Sequence, residues 1–354
     1  MTSTFPVRVA LTLLLAFAAA LMCVQLRTPI PWMIGPLVAT SAASILGWPT
    51  RSFGPFRNAG QWIIATALGL YFTPQVTALV IGLWWAIALS IAWALALGWG
   101  FGAWLDFSNR GRIGNPNEQR ATSYFAAAIG GASEMTLLAE REGGRTDLVA
   151  ASHSLRLLIV SISVPFAITF SGLQGLDATL PGTRDSHLAG LALLILATGA
   201  GALIMRRAGR ANPWFIGPLL VTMGLTMAAI EPSAVPQWMT NAAQLLIGIS
   251  LGVRFSAGFI QTAPRWLGTV ALGTVVMIAL CASFALLMAW ATGLHWATMI
   301  LGSAPGGIAE MAITAEVLQL GVPMVTAFQV CRLIAVLVLV EPLFRLKYRS
   351  PPSA

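Results

Sequence analysis

The residues of this chain whose types and spacing could do chemistry are charges set inside apolar sequence, and they come in pairs. Gly130-Gly131-Ala132-Ser133-Glu134-Met135 is matched 176 residues later by Gly306-Gly307-Ile308-Ala309-Glu310-Met311. At the same offset Glu140 matches Glu316 and Arg156 matches Arg332. His153 and Gln329 stand one turn before the two arginines, on the same helix face. A charged side chain at the centre of a membrane-spanning helix costs about 3 kcal/mol even on the lenient insertion scale, so each of these residues is a functional candidate. Glu134 and Glu310 follow their glycines at the start of a half-helix. They are either a coupling site for a proton or Na⁺, or capping carboxylates that gain about 0.3–1 kcal/mol from the helix dipole. Arg156 and Arg332 call for an anion. That anion is a glutamate (Glu134, Glu140, Glu310 or Glu316), a solute carboxylate held by the planar guanidinium fork, or both. His153 and Gln329 read as hydrogen-bonding groups in helix packing or as a proton relay.

The elements that must position these residues follow from composition. Of 354 residues 57% are hydrophobic and 9% are charged, with mean hydropathy +0.80. Soluble domains carry about 25% charge. Apolar runs such as Val9–Leu26, Leu83–Leu105, Leu188–Met205 and Leu267–Trp290 are long enough for a hydrocarbon core, which takes roughly 20 helical residues. The alternation of a barrel is absent, so the fold class is an all-α polytopic membrane protein. The net charge of +8 sits singly or in small clusters between apolar runs, as topology determinants do, and does not point to nucleic acid. Cys23, Cys281 and Cys331 form no CxxC, and His153, His187 and His295 offer no metal spacing. No metal, cofactor or enzymatic activity is expected. The first apolar run is expected to stay in the protein, because its counterpart Leu188–Met205 is internal.

The duplication is wider than the charged motif. Pro31-Trp32-Met33-Ile34-Gly35-Pro36-Leu37 recurs as Pro213-Trp214-Phe215-Ile216-Gly217-Pro218-Leu219, and Asn58-Ala59-Gly60-Gln61 recurs as Asn241-Ala242-Ala243-Gln244. The first block reads as a close-packing or hinge element and the second as a helix cap. The chain thus divides into a first membrane repeat at 8–171, a linker at 172–186, a second repeat at 187–345 and a tail at 346–354. Each repeat has six apolar segments, in the first at about 8–26, 31–48, 59–78, 81–105, 122–140 and 147–170. The fifth is interrupted by Gly130-Gly131, and in the second copy by Ala304-Pro305-Gly306-Gly307, so it is expected to be broken or re-entrant. If it does not cross, each repeat crosses five times and the second is inverted. Sixteen of the twenty lysines and arginines then fall on the cytoplasmic side with both termini, and only Arg27 and Arg184 fall outside.

The paired PWxIGPL, N-A-x-Q and GGxxEM blocks resemble the bacterial membrane proteins of the AbrB family, which carry an internal duplication. The resemblance covers nearly the whole chain. It implies the labels that family has carried, an ammonia monooxygenase and a regulator of gene expression. The residues supply neither a histidine-rich copper or iron constellation nor a helix-turn-helix domain. By analogy of fold alone, the architecture is similar to inverted-repeat carriers with crossed, broken segments, such as bile-acid and auxin carriers. The function expected is a secondary transporter of a small solute coupled to H⁺ or Na⁺, working by alternating access in the bacterial inner membrane. Its partners would be the solute, the ion and the bilayer; assembly into a homo-oligomer is left open. The alternative is a membrane-embedded sensor that binds without transport. The site residues are Gly130, Gly131, Glu134, His153 and Arg156 with Gly306, Gly307, Glu310, Gln329 and Arg332.

Overall fold

Proline, glycine and small residues decide where the helices of this chain start, stop and touch. The computed structural model describes residues 5–172, 186–230, 232–255 and 263–348. The linker at 172–186 and the tail at 346–354 therefore lie largely outside the described residues. The regular structure described is helical: α1 Phe5–Gln25, α2 Pro31–Ile45, α3 Gly54–Gly69, α4 Pro74–Gly82, α5 Trp84–Ser108, α6 Pro116–Ala127, α7 Ala132–Arg141 and α8 Thr146–Phe170. The second half repeats the order with α9 Leu188–Arg207, α10 Pro213–Met227, α11 Gln237–Gly252, α12 Pro264–Thr292, α13 Trp296–Ser303, α14 Ile308–Val317 and α15 Val322–Tyr348. Six of these (α1, α5, α8, α9, α12 and α15) are long and apolar enough to cross a membrane.

The third segment departs from the sequence reading. Instead of one run at 59–78 it is α3 and α4, bent by 92°. Pro74 accounts for the bend. It disfavours the helical conformation at Thr73 and restarts the helix at its own position, where the Thr73 hydroxyl receives the Val76 amide at 3.4 Å. The N-A-x-Q blocks are not caps. α3 opens after Phe53 and α11 after Pro236, which leaves Gln61 and Gln244 inside their helices and buried. The Pro-Trp blocks do open α2 and α10 with proline at the first position. In both, the residue before the proline is left-handed, Ile30 at φ 48 and Asn212 at φ 48. For a buried β-branched residue such as Ile30 that backbone is costly and persists only because the surroundings fix it.

Contacts group the chain into two compact units, each drawn from both repeats. One holds Met1–Gly82, Ser161–Phe259 and Ala309–Thr326; the other holds Leu83–Val160, Ile260–Ile308 and Ala327–Ala354. A sequence repeat is therefore not a compact unit. In the first unit the packing runs α1 on α2, α2 on α11, α11 on α3, α3 on α10 and α10 on α9. Exchanging the repeats leaves that order unchanged. Glycine makes the approaches close enough: a Cβ at Gly35 would sit 2.7 Å from the Ala19 carbonyl oxygen, and one at Gly217 would sit 2.6 Å from that of Gly201. Gly252 is seated on Thr40 and Leu37 as Gly69 is seated on Thr222 and Leu219. In the second unit α5 packs on α6 and α12 on α13, and α5 packs on α12, with Trp93 stacked on Phe284 at 5.2 Å.

Candidate arginine-capped helix breaks

Each Gly-Gly segment is two short helices separated by four residues that are not helical, 128–131 in the first copy and 304–307 in the second. The first half-helix starts on a proper cap. Asn115 accepts from the amides of Asn117 and Glu118 before α6, and His295 Nδ1 accepts from the Ala297 amide at 3.2 Å before α13. α6 begins about six residues earlier than the apolar pattern at 122–140 suggests, because its opening turn is polar and belongs to the cap. Both end when the next residue turns extended, Ala128 at ψ 135 and Ala304 at ψ 141. An ended helix presents carbonyls with no intrahelical donor and a partial negative charge.

The arginines of the following long helices close these ends. The Arg156 guanidinium donates to the carbonyls of Ala127 at 3.2 Å and Ala128 at 2.9 Å, with a longer approach to Ala126 at 3.4 Å. It also meets His153 Nδ1 at 2.8 Å, while His153 Nε2 lies 2.9 Å from the Phe125 carbonyl. Arginine can only donate and a carbonyl can only accept, so the neutral histidine with hydrogen on Nε2 is the form that satisfies both contacts. In the second copy Arg332 donates to Ala304 at 2.6 Å and to Gly306 at 3.0 Å. Gln329 repeats the histidine's wiring: Oε1 accepts from Arg332 at 2.6 Å, and Nε2 donates to Leu301 at 2.7 Å and Ala304 at 3.2 Å. His153 to Phe125 and Gln329 to Leu301 both span 28 residues.

Both arginines are 3% exposed. Neither has a carboxylate within ion-pair distance among the described residues, where the ion pairs seen are Arg145–Asp147, Arg345–Glu142 and Arg345–Glu341. The sequence called for an anion; backbone carbonyls at two helix ends take that place. The fork is nonetheless incomplete, because the buried Nε of Arg156 and of Arg332 has no partner. An unpaired buried donor costs about 1–3 kcal/mol. Arg156 lies within electrostatic range of Arg332, and both lie within that of Cys281.

The glutamates are placed less evenly. Glu134, in the first turn of α7, is half-buried, and its carboxylate folds back over Gly131, where any Cβ would meet it. Gly130 is needed for a different reason: its Cβ would sit 2.9 Å from Met135 Cε and 3.1 Å from Val336. Glu310, in the first turn of α14, is 7% exposed and within electrostatic range of Arg57 and Arg254. The sequence reading counted those two arginines among the cytoplasmic loops and not at a site, although Arg57 directly precedes the repeated Asn58 block. Glu140 is exposed, whereas Glu316 is half-buried with Oε2 unpartnered. Glu134 belongs to one compact unit and Glu310 to the other. The structure thus joins His153 with Arg156 and Gln329 with Arg332, and among the described residues of their unit it shows no ion pair between these arginines and Glu134 or Glu140.

Comparison with known proteins gives a consistent match over most of the chain. Residues 32–347 match the model of a family described as AbrB, transition state regulatory protein AbrB. The chain is 25% identical over 346 residues to "Uncharacterized protein YhjN" of Bacillus subtilis (strain 168), which covers 90% of this chain and 87% of that protein. It is 24% identical over 316 residues to "Putative regulator AbrB" of Escherichia coli (strain K12), with 87% of each chain covered.

Proposed function

The chain belongs to the AbrB family, and from that premise we propose that it is a secondary transporter of the bacterial inner membrane. Its solute is small and anionic, with a carboxylate as the group that the guanidiniums would hold, and its transport is coupled to H⁺ or Na⁺. One observation carries this reading. Two buried arginines in one compact unit hold broken helix ends without a carboxylate partner among the described residues, and each keeps one donor unused. Partial charges on carbonyls do not neutralise two full cations in a medium of low dielectric, so an anion entering there gains more than it would in water. Broken segments at matching places in two repeats are what solute sites of secondary transporters are built from. The exchange symmetry of helix packing in the first unit fits two related repeats, and the distribution of lysine and arginine among the loops supports opposite orientations, five crossings each, with both termini cytoplasmic. Glu134 and Glu310 are the proposed coupling carboxylates.

Reconstitution into liposomes tests the proposal. Purified protein should move a small carboxylate down an imposed H⁺ or Na⁺ gradient. Glu134→Gln and Glu310→Gln should each abolish coupled uptake while leaving insertion intact. Normal uptake in both variants would remove the coupling assignment. A protein that binds a solute and never carries it under any gradient would instead be a membrane-embedded sensor, the role suggested by the word regulator in the Escherichia coli relative's name. A reporter fused after residue 180 should read as external; a cytoplasmic reading would overturn the inverted arrangement.

A further inference from the structure

We propose that the second compact unit carries an ionic latch, Glu142–Arg345–Glu341, that fastens the half-helix α7 to α15 and holds it until the ion pairs open. All three residues belong to that unit. Glu142 follows α7 directly as its C-terminal cap. A carboxylate there faces the negative end of the helix dipole, so α7 gains from a cation supplied by another element. Arg345, in the last turn of α15, supplies it: Nε donates to Glu142 Oε1 at 3.0 Å. The other edge of the same guanidinium donates to Glu341 Oε1. Glu341 precedes Arg345 by four residues, the favourable order for an ion pair along one helix face, and so aims the fork across to α7. The side chain of Glu142 is 4% exposed and that of Arg345 47%. The sheltered carboxylate strengthens the pair, and the half-open guanidinium lets water and salt compete for it.

The fastening lies outside the repeated pattern. α15 holds the first broken segment at three levels. Val336 lies against Gly130, where a Cβ would meet it at 3.1 Å; the Val340 carbonyl receives the Tyr124 hydroxyl at 3.0 Å; and Arg345 reaches Glu142. At the offset of 176 the polar partners have no equivalents. Tyr124 corresponds to Ile300, Glu142 to Leu318, Glu341 to Pro165 and Arg345 to Thr169. The grouping of the chain differs in the same sense: α7 lies wholly within the second unit, while α14 from Ala309 onward is grouped with the first. Two half-helices that the repeat would treat alike are tied differently, and only α7 is tied by charge to the helix behind it. Glu134 stands eight residues before Glu142, about 12 Å along the axis, so the latch restrains the helix that carries it. What this means for coupling rests on the transporter reading above; the latch itself does not.

The test is hydrogen exchange of the purified full-length chain in detergent, read by mass spectrometry on peptides that cover α7 and α14. Arg345→Ala is expected to speed amide exchange in α7 roughly tenfold and to leave α14 unchanged. Arg345→Lys, which keeps the charge without the fork, should fall between this variant and the parent. Adding Glu142→Ala to Arg345→Ala should bring no further increase, because both changes remove the same bond. Unchanged exchange in α7, equal acceleration of α7 and α14, or a further rise in the double variant would each overturn the latch. Should Arg345→Ala fail to fold, the unaltered chain decides. Raising choline chloride from about 0.05 M to about 1 M screens a half-open ion pair, so exchange should rise in α7 and not in α14; no response in α7 would refute the proposal. Choline keeps added Na⁺ away from the coupling residues. Because exchange is read without any solute, a failed liposome assay would remove the transporter reading and leave this result standing.

Discussion

At Arg156 the side chain that turns the guanidinium is a histidine; at Arg332 it is a glutamine. Imidazole and carboxamide have little in common except one property: each can accept at one atom and donate at another. Both use it identically, accepting from the arginine and donating to the carbonyl 28 residues back. What the two copies hold in common is the direction of the hydrogen bonds, not the residue. The rest of the surroundings is free to differ. The second break contains Pro305, and its arginine reaches across that proline to Ala304 and Gly306, whereas Arg156 reaches the consecutive carbonyls of Ala127 and Ala128. The carboxylates differ more: Glu310 is buried and Glu134 is not.

The most damaging way to break this comparison is to remove an arginine. Arg156→Leu strands the carbonyls of Ala127 and Ala128, and Arg332→Leu strands the Gly306 carbonyl and Gln329 Oε1, since Ala304 keeps the Gln329 donor; each stranded group costs about 1–3 kcal/mol. Each variant should lose about 3 kcal/mol or more in unfolding in detergent. Arg→Lys at either position should recover only part of this, since a point ammonium cannot span two carbonyls as the fork does. An Arg332→Leu protein as stable as the parent would mean that the guanidinium does not hold the break together. The next effect is smaller. His153→Leu and Gln329→Leu should each cost about 1–3 kcal/mol, because the arginine loses an acceptor and a carbonyl loses its donor. The exchanges His153→Gln and Gln329→His should cost clearly less than the leucine changes. If they cost as much, shape and not hydrogen-bond direction is what the two copies share.

Much of this was legible in the sequence, for reasons that are themselves physical. The Gly-Gly breaks, the paired charges and the one-turn spacing of His153 to Arg156 and Gln329 to Arg332 are local patterns that helical geometry carries directly into space. The arginines' partners were not legible, because a backbone carbonyl has no letter of its own; only the common spacing of 28 residues points to them, and it acquires meaning once the helix is known to end at Ala128 and Ala304. Gln61 and Gln244 looked like caps because they follow polar residues near segment starts. The apolar pattern cannot register that α3 and α11 begin with prolines and aromatic residues several positions earlier. The bend at Pro74 was hidden because the apolar pattern resumes beyond Thr73-Pro74-Gln75, so the two helices read as one run.

The smallest effect tests whether the rule of shared wiring extends beyond the breaks, and the helix packing of the first unit argues that it does not. There Trp62 Nε1 donates to the Thr198 hydroxyl at 2.8 Å. The repeat places Leu245 and Ala16 at the matching positions, and they pack in a wholly apolar cluster with Ala20 and Ile249. One copy therefore uses a hydrogen bond where the other uses contact alone. Thr198 also donates to its own helix, to Leu194 at 2.7 Å, and keeps that bond without the tryptophan. Trp62→Phe should thus cost about 1 kcal/mol, the net worth of one neutral hydrogen bond, and no more. Leu245→Ala, which opens a cavity in the apolar counterpart, should cost about 2–5 kcal/mol. That ordering of the two losses in thermal unfolding would show that packing fixes the helices of the first unit, while hydrogen-bond direction is held constant only where a helix has been broken.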